Sequence, residues 1–139
     1  MHGENSEGIE LAYRDAEYWV LADPRFRLTV DVSSHSLRRL HEQYGVMCSA
    51  LLTAFNPQSE RLADDLNQSR QHSLLEKLQS MGLNTCPAVN SDPKGLWPDE
   101  ESVLVFGIER DDAATCARQF QQKAFLWNGA DSVPHLIWC

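Results

Sequence analysis

Polar side chains suited to chemistry gather around one short segment, TAFNPQS, which spans residues 53–59. The apolar run CSALLTAF ends there on Asn56 and Pro57. Asn followed by Pro is typical of a helix start, where Asn caps the first turn and Pro occupies the first helical position. The alternative is that Thr53, Asn56 and Ser59 hold a ligand together. The sequence leaves both interpretations open.

Glu100 is the candidate for acid or base catalysis. It lies close to Trp97 in a segment rich in Asp, Pro and Gly, and burial of its carboxyl group there would raise the pKa. The flanking residues Asp99 and Glu101 favour a solvated acidic loop instead. Trp97 is either a lid packed over the core or a surface on which a ligand stacks.

Three further polar residues complete the candidate set. Gln122 and Lys123 precede a predicted strand, and Lys123 could form an ion pair with Glu100. Asn67 follows Asn56 by about three helical turns, which predicts the same side of one helix at a separation of about 15 Å. The predicted binding residues are Thr53, Asn56, Ser59, Asn67, Trp97, Glu100, Gln122 and Lys123.

Metal and cofactor chemistry lacks support in the sequence. The four cysteines form no CxxC pair, and the five histidines have no spacing that would bring them to one metal ion. The segments around the candidate residues contain no Gly-rich phosphate loop and no histidine. We therefore predict no metal, no cofactor and no disulfide framework.

Composition restricts the class of protein further. Twenty acidic against twelve basic residues give a net charge of −8, which argues against nucleic-acid binding. No apolar run approaches the roughly 20 residues that cross a bilayer, and the first residues are polar and acidic. We expect a cytoplasmic protein that is not inserted in a membrane. Its 139 residues suit a single domain, with residues 1–12 as a flexible N-terminal segment.

Periodicity predicts the elements that position these residues. Residues 18–32 read as a hairpin that turns at Asp23-Pro24, and a helix capped by Ser33 or Ser34 should end at Gly45. A central strand, residues 46–55, and a long helix to Ser80 follow. Pro87 predicts that the next strand lies at a sheet edge or ends early. The remaining predicted elements are a strand at 102–108, a helix capped by Asp111 or Asp112, and strands at 124–127 and 135–138.

The order of these elements predicts the fold. Between Val46 and Trp127 it runs strand, helix, strand, strand, helix, strand, which indicates an α+β protein with a ferredoxin-like split βαβ core and an added N-terminal hairpin and helix. Right-handed crossovers would bring Asn56, the loop 90–101 and residues 121–123 to one end of the sheet. The helix start expected there favours anions.

Four segments resemble the bacterial family known as domain of unknown function 3293, namely TAFNPQS, DDLNQSR, WPDEESVLVFGI and RQFQQKAFLW. The similarity extends from about Tyr13 to about Trp127. The family pattern has T-A-W-N-P-x-S first and F-G-Q-N-A before the last core strand, so this chain departs from it at Phe55, Gln121 and Lys123. The resemblance implies no activity. The site residues it implies are Thr53, Asn56, Pro57, Ser59, Asn67, Trp97, Glu100, Ser102, Phe120 and Gln122.

Three functions fit the sequence. The first is a domain that binds a small polar or anionic molecule, because Asn, Ser, Gln and Glu offer donors and acceptors and Trp97 offers a flat face. The second is a hydrolase or transferase that uses Glu100 as acid or base. The third is a protein-interaction module with the C-terminal segment HLIWC and the acidic surface as its contacts. Separately, a free edge strand such as HLIWC could pair with another copy in a homodimer. The sequence does not decide whether the protein is an enzyme.

Overall fold

A computed structural model of the protein describes residues 6–139. Residues 1–12 were predicted to be a flexible segment. Residues 1–5 lie outside the described residues, and the rest of that segment belongs to a helix that begins at Ser6. The helices are α1 (Ser6–Asp15), α2 (His35–Tyr44), α3 (Asp64–Ser80) and α4 (Arg110–Gln119), with a short 3-10 turn at Pro57–Ser59. The strands are β1 (Glu17–Val20), β2 (Phe26–Leu28), β3 (Ser49–Leu52), β4 (Thr85–Ser91), β5 (Glu100–Phe106), β6 (Ala124–Asn128) and β7 (Pro134–Trp138).

All seven strands form one sheet in the order β2-β1-β4-β5-β3-β6-β7, and every neighbouring pair is antiparallel. The predicted hairpin is confirmed as β1 and β2, and β3 lies inside the sheet between β5 and β6, as predicted. The α+β class is therefore correct. None of the described helices combines the length and the apolar character needed to cross a membrane.

Successive residues of β3 show how the two faces of the sheet are covered. Ala50 and Leu52 face α3 and α4, which contribute Leu74, Leu78 and Cys116 to that core. Leu51 points to the opposite face and packs in a second core with residues of β1, β2 and α2. A strand buried on both faces explains why its sequence is continuously apolar.

Local signals predicted the ends of α2 but not the start of α4. The Ser34 hydroxyl accepts a hydrogen bond from the Leu37 N–H at 3.1 Å, and Gly45 ends the helix with φ 65°. Both features confirm the prediction. In contrast, α4 begins at Arg110, so Asp111 and Asp112 lie in its first turn rather than at its cap. Their negative charge is still favourable there because it faces the positive end of the helix dipole.

The prediction for Pro87 is wrong, because β4 runs through it and lies between β1 and β5. The Pro87 carbonyl accepts a hydrogen bond from the Leu21 N–H, which follows the last residue of β1. In a strand the nitrogen and carbonyl of one residue point to the same neighbour. The nitrogen of Pro87, which carries no hydrogen, therefore points toward β1 at the position where the pairing of β1 with β4 ends. The absence of this N–H removes no hydrogen bond from the middle of the sheet.

The predicted helix start at Asn56 is also wrong. The long helix α3 begins at Asp64, after a turn and an irregular segment, and the Asn56 side chain makes no capping hydrogen bond to the 3-10 turn. Asn56 adopts a left-handed conformation with φ 48° and ψ 70°. The expectation that an anion-binding helix start lies beside Asn56 loses its basis, since α3 opens with Asp64 and Asp65.

Candidate functional site

A cavity of about 530 Å³ lies at the end of the sheet where β3 ends and where β5 and β6 begin. Helix α1 forms one wall with Ile9, Ala12 and Tyr13, and the sheet forms another with Leu51 and Leu126. We call this space the α1 cavity. Its size is typical of pockets that hold small molecules.

Six of the eight residues selected from the sequence line the α1 cavity. They are Thr53, Asn56, Ser59, Trp97, Glu100 and Gln122. Asn67 lies behind the wall, buried and in contact with Asn56. Lys123 instead lines a neighbouring open depression with Arg118 and Gln121.

Asn56 and Asn67 form a reciprocal pair of hydrogen bonds. The backbone N–H of Asn56 donates to Asn67 Oδ1 at 2.8 Å, and Asn67 Nδ2 donates to Asn56 Oδ1 at 2.8 Å. Asn56 Oδ1 also accepts a bond from the Leu62 N–H at 2.9 Å. The separation of about 15 Å expected from one continuous helix is therefore wrong. The chain folds back between the two residues, and Asn67 fixes the conformation of Asn56.

This arrangement directs the remaining amide donor of Asn56 to Glu100. Asn56 Nδ2 donates to Glu100 Oε2 at 2.5 Å. Burial raises the pKa of the Glu100 carboxyl group above its ordinary value, and the hydrogen bond from Asn56 partly opposes that shift. The ion pair with Lys123 does not form, since no salt bridge joins Glu100 to any described residue. Glu100 is thus a partly buried acid held by a neutral donor.

Thr53 and Gln122 use their polar groups to hold the backbone of the segment 53–59. The Thr53 hydroxyl donates to the Glu101 carbonyl at 2.6 Å and accepts from the Phe55 N–H at 3.1 Å. The buried Gln122 amide donates to the Phe55 carbonyl at 3.0 Å. These bonds give both residues a structural role at the cavity wall.

Two residues of α3 hold the same segment from behind, and sequence reasoning missed both. Gln71 accepts a hydrogen bond from the Ala54 N–H at 2.9 Å, and Arg70 donates to the Ala54 carbonyl at 2.8 Å. Arg70 also donates to the Phe120 carbonyl at 2.5 Å. Gln71 is only 3% exposed, and this burial of polar side chains within a helix has no local signal in the sequence.

Four cavity-lining residues with polar groups in their side chains were also missed: Tyr13, Tyr18, Arg61 and Asn90. The Tyr13 hydroxyl lies 3.3 Å from Ser59 Oγ, and the Tyr18 hydroxyl donates to the Tyr13 carbonyl. Burial is the main cause of the raised pKa of Tyr13, and the charge of Glu100 adds to it. The one signal that pointed to Tyr13 was the expected start of the resemblance at about that residue, which lies outside the family match at residues 52–125.

Trp97 is 41% exposed at the edge of the cavity, in a loop organised by Asp92. The Asp92 carboxylate accepts hydrogen bonds from the N–H groups of Lys94 and Leu96 at 3.0 and 2.7 Å. Trp97 is thus not a core residue, and its indole is accessible both to solvent and to the cavity.

The remaining residues implied by the resemblance have structural positions. The Ser102 hydroxyl donates to Asn90 Oδ1 at 2.9 Å, and Phe120 packs in the core beneath α3 and α4. Pro57 begins the 3-10 turn. Within residues 6–139, no group of three or more His, Cys, Asp or Glu side chains is arranged to hold a metal ion.

The family described as Protein of unknown function (DUF3293) matches residues 52–125, more than half of the chain. The chain belongs to this family. The matched region contains all eight predicted site residues, whereas α1, which closes the cavity, precedes it. No curated protein and no solved structure matches the chain.

The structure gives a physical reason for the glycine in the sequence pattern on which the resemblance to this family rests. Gln121 occupies the place of a glycine in that pattern and has φ 54°, a conformation that glycine adopts without strain. Phe55, which stands in place of a tryptophan, is buried at the wall of the α1 cavity. A tryptophan there would fill more of the cavity.

Proposed function

We propose that the protein binds a small polar molecule in the α1 cavity. The observation that supports this most strongly is that the Glu100 carboxyl group, held by Asn56, lines a cavity whose other walls are largely apolar or aromatic. Small-molecule sites combine apolar walls with a few fixed polar groups in this way. An anionic ligand was expected only because a helix start would lie beside Asn56. Helix α3 begins at Asp64 instead, so the proposed ligand is not an anion.

A thermal-shift screen with a metabolite library tests this proposal. A ligand at one hundred times its dissociation constant should stabilise the protein by about 2.7 kcal/mol, which is a shift of several degrees. We expect Glu100→Ala to lose the shift and Glu101→Ala to keep it, since Glu101 is exposed and outside the cavity. A shift that survives in Glu100→Ala would locate binding elsewhere.

An acid–base enzyme is the second candidate, favoured by one observation. The pKa of Glu100 is raised above its ordinary value by burial and the group lines the cavity, so it could exchange a proton with a bound substrate. Hydrolysis or group transfer would require Glu100 in that role. Screening generic ester, phosphoester and glycoside substrates would test it, and activity unchanged in Glu100→Gln would refute the role of Glu100.

The interaction-module hypothesis receives weaker support. In β7, Leu136 and Ile137 are partly buried against the two cores, and exposed Trp138 contacts Tyr13 edge-on at 5.3 Å. The segment is therefore largely engaged within the protein. Because β7 is at the sheet edge, we retain pairing of two copies through it as a prediction, which analytical ultracentrifugation would test.

We also propose that β3, β4, β5 and β6 form a ferredoxin-like core within a single domain. The support is their spatial order, β4-β5-β3-β6, together with antiparallel pairing and the placement of α3 and α4 on one face. Superposition of an experimental structure on ferredoxin-like domains would test this. A single cooperative unfolding transition would support one domain.

A further inference from the structure

We infer that the α1 cavity selects an organic cation, with an ammonium, amidinium or guanidinium group placed against Glu100. This inference rests on the proposed function and names the chemical class of its ligand. It follows from three observations: the charges that line the cavity, the way the neighbouring donors are used, and the aromatic walls.

Glu100 is the one acidic side chain among the described residues that line the cavity, and it lacks a cationic partner. The one basic side chain there, Arg61, is exposed and forms no salt bridge with Glu100. Among the described residues Asn56 is the single hydrogen-bond donor to the carboxylate, through Oε2, and Oε1 is neither hydrogen-bonded nor fully buried, so it is open to a ligand. A partly buried carboxylate without a cation is unfavourable, and a cationic ligand would supply the missing partner.

Three donors on the cavity wall are already used within the protein. The Tyr18 hydroxyl donates to the Tyr13 carbonyl, and the Thr53 hydroxyl donates to the Glu101 carbonyl. The Gln122 amide is directed to the Phe55 carbonyl. None of these three groups is directed at Glu100, and among residues 6–139 only Asn56 donates a hydrogen bond to its carboxylate.

Aromatic side chains provide the second element of cation recognition. Tyr13, Tyr18, Phe55 and Trp97 all line the same cavity. The faces of aromatic rings attract cations, and this attraction strengthens when water is excluded. A carboxylate together with several aromatic rings therefore suits a cationic group better than a neutral or anionic one.

Three flat probes of equal size separate charge from shape: benzamidine, benzamide and benzoate, which are cationic, neutral and anionic at pH 7. The signal would be the indole N–H of Trp97 in two-dimensional ¹H–¹⁵N NMR spectra, assigned with Trp97→Phe. We expect benzamidine to shift this peak in a saturable manner and the other two probes to have little effect.

The matched variants are Glu100→Gln and Glu101→Gln, which remove the same charge from adjacent residues. Glu100→Gln keeps an acceptor for Asn56, so the fold should be retained. Hydrogen bonds to charged groups are strong enough that we expect benzamidine to bind about tenfold to a hundredfold more weakly. Glu101→Gln should leave the affinity unchanged, because Glu101 is exposed and contacts Gln68.

The outcomes distinguish this inference from the proposed function. Benzamide or benzoate binding as tightly as benzamidine, or full affinity in Glu100→Gln, would overturn cation selection and leave a polar-ligand site. If benzamidine has no effect while the metabolite screen finds a neutral or anionic ligand that requires Glu100, cation selection is likewise overturned. If neither experiment finds a ligand, both the inference and the proposed function fail.

Discussion

Replacing Asn67 by alanine should test whether the segment 53–59 is held by side chains of α3. Asn67 is 2% exposed and forms three hydrogen bonds: it accepts from the Asn56 N–H at 2.8 Å and donates to Asn56 Oδ1 at 2.8 Å and to the Leu62 carbonyl at 3.3 Å. Alanine can make none of them. The Asn56 N–H would then lose its partner in a position that is only partly accessible to water.

The expected magnitude follows from these contacts. Leaving a buried donor without a partner costs about 1–3 kcal/mol, and each further hydrogen bond contributes about 1 kcal/mol. We therefore expect Asn67→Ala to lower the free energy of unfolding by about 2–4 kcal/mol. For a chain of this length that corresponds to a fall in Tm of roughly 8–15 °C.

Urea denaturation followed by circular dichroism would measure this loss, with Gln68→Ala as the matched control. Gln68 is the next residue of α3 and is exposed, so its replacement should change the free energy of unfolding by no more than about 0.5 kcal/mol. Equal effects of the two variants, or a loss below about 1 kcal/mol for Asn67→Ala, would refute the role given to Asn67.

Three further predictions concern charge and backbone conformation. Burial raises the pKa of Glu100 above its ordinary value of 4.5, so the ionised form of this residue destabilises the fold. Glu100→Gln should therefore raise Tm at pH 8. This gain should vanish below about pH 4.5, where the carboxyl group is protonated in both the folded and the unfolded state. A gain of equal size at every pH would contradict this. Gln121 has φ 54°, so Gln121→Gly should be about 1 kcal/mol more stable in urea than Gln121→Ala; the reverse order would argue against strain there. Burial lowers the pKa of His41, so the folded state disfavours its charged form and stability should fall as the pH drops below about 6.5. Thermal melts should show a smaller fall in His41→Gln, and an identical pH profile would exclude His41 as the cause.

Features that depend on neighbouring residues in the chain could be predicted from the sequence. Alternation of apolar residues identified β2, and a nearly continuous apolar run identified β3. The serine and glycine signals at Ser34 and Gly45 located both ends of α2. The order of strands and helices then brought Glu100 and Gln122 to the end of the sheet where Asn56 lies. Six candidate residues line one cavity for this reason, since topology alone determines which strand ends are adjacent.

Features that depend on partners distant in the sequence could not be predicted. The Asn56-Pro57 pair has the local pattern of a helix start, but Asn67 and Gln122 hold the segment in another conformation. Nothing near Asn56 indicates these partners. Helix α1 was missed because its sequence is rich in polar residues and because Tyr13 packs against Trp138, which is distant in the sequence. Tyr13 consequently escaped the list of candidates.

Two features around TAFNPQS cost the protein stability at one place. Asn56, Gln58 and Ser59 have positive φ values. Asparagine tolerates this conformation, but Gln58 and Ser59 adopt it at a cost of about 1–2 kcal/mol each. The hydrogen-bond network there directs Asn56 toward Glu100, whose ionised form is itself disfavoured by burial. A continuous helix from Pro57 would avoid the strain, and a glutamine at position 100 would avoid the buried charge. Strain and a perturbed acid that coincide in one cavity are typical of a functional site, because neither improves packing. This coincidence is the physical argument for the ligand site proposed in the α1 cavity.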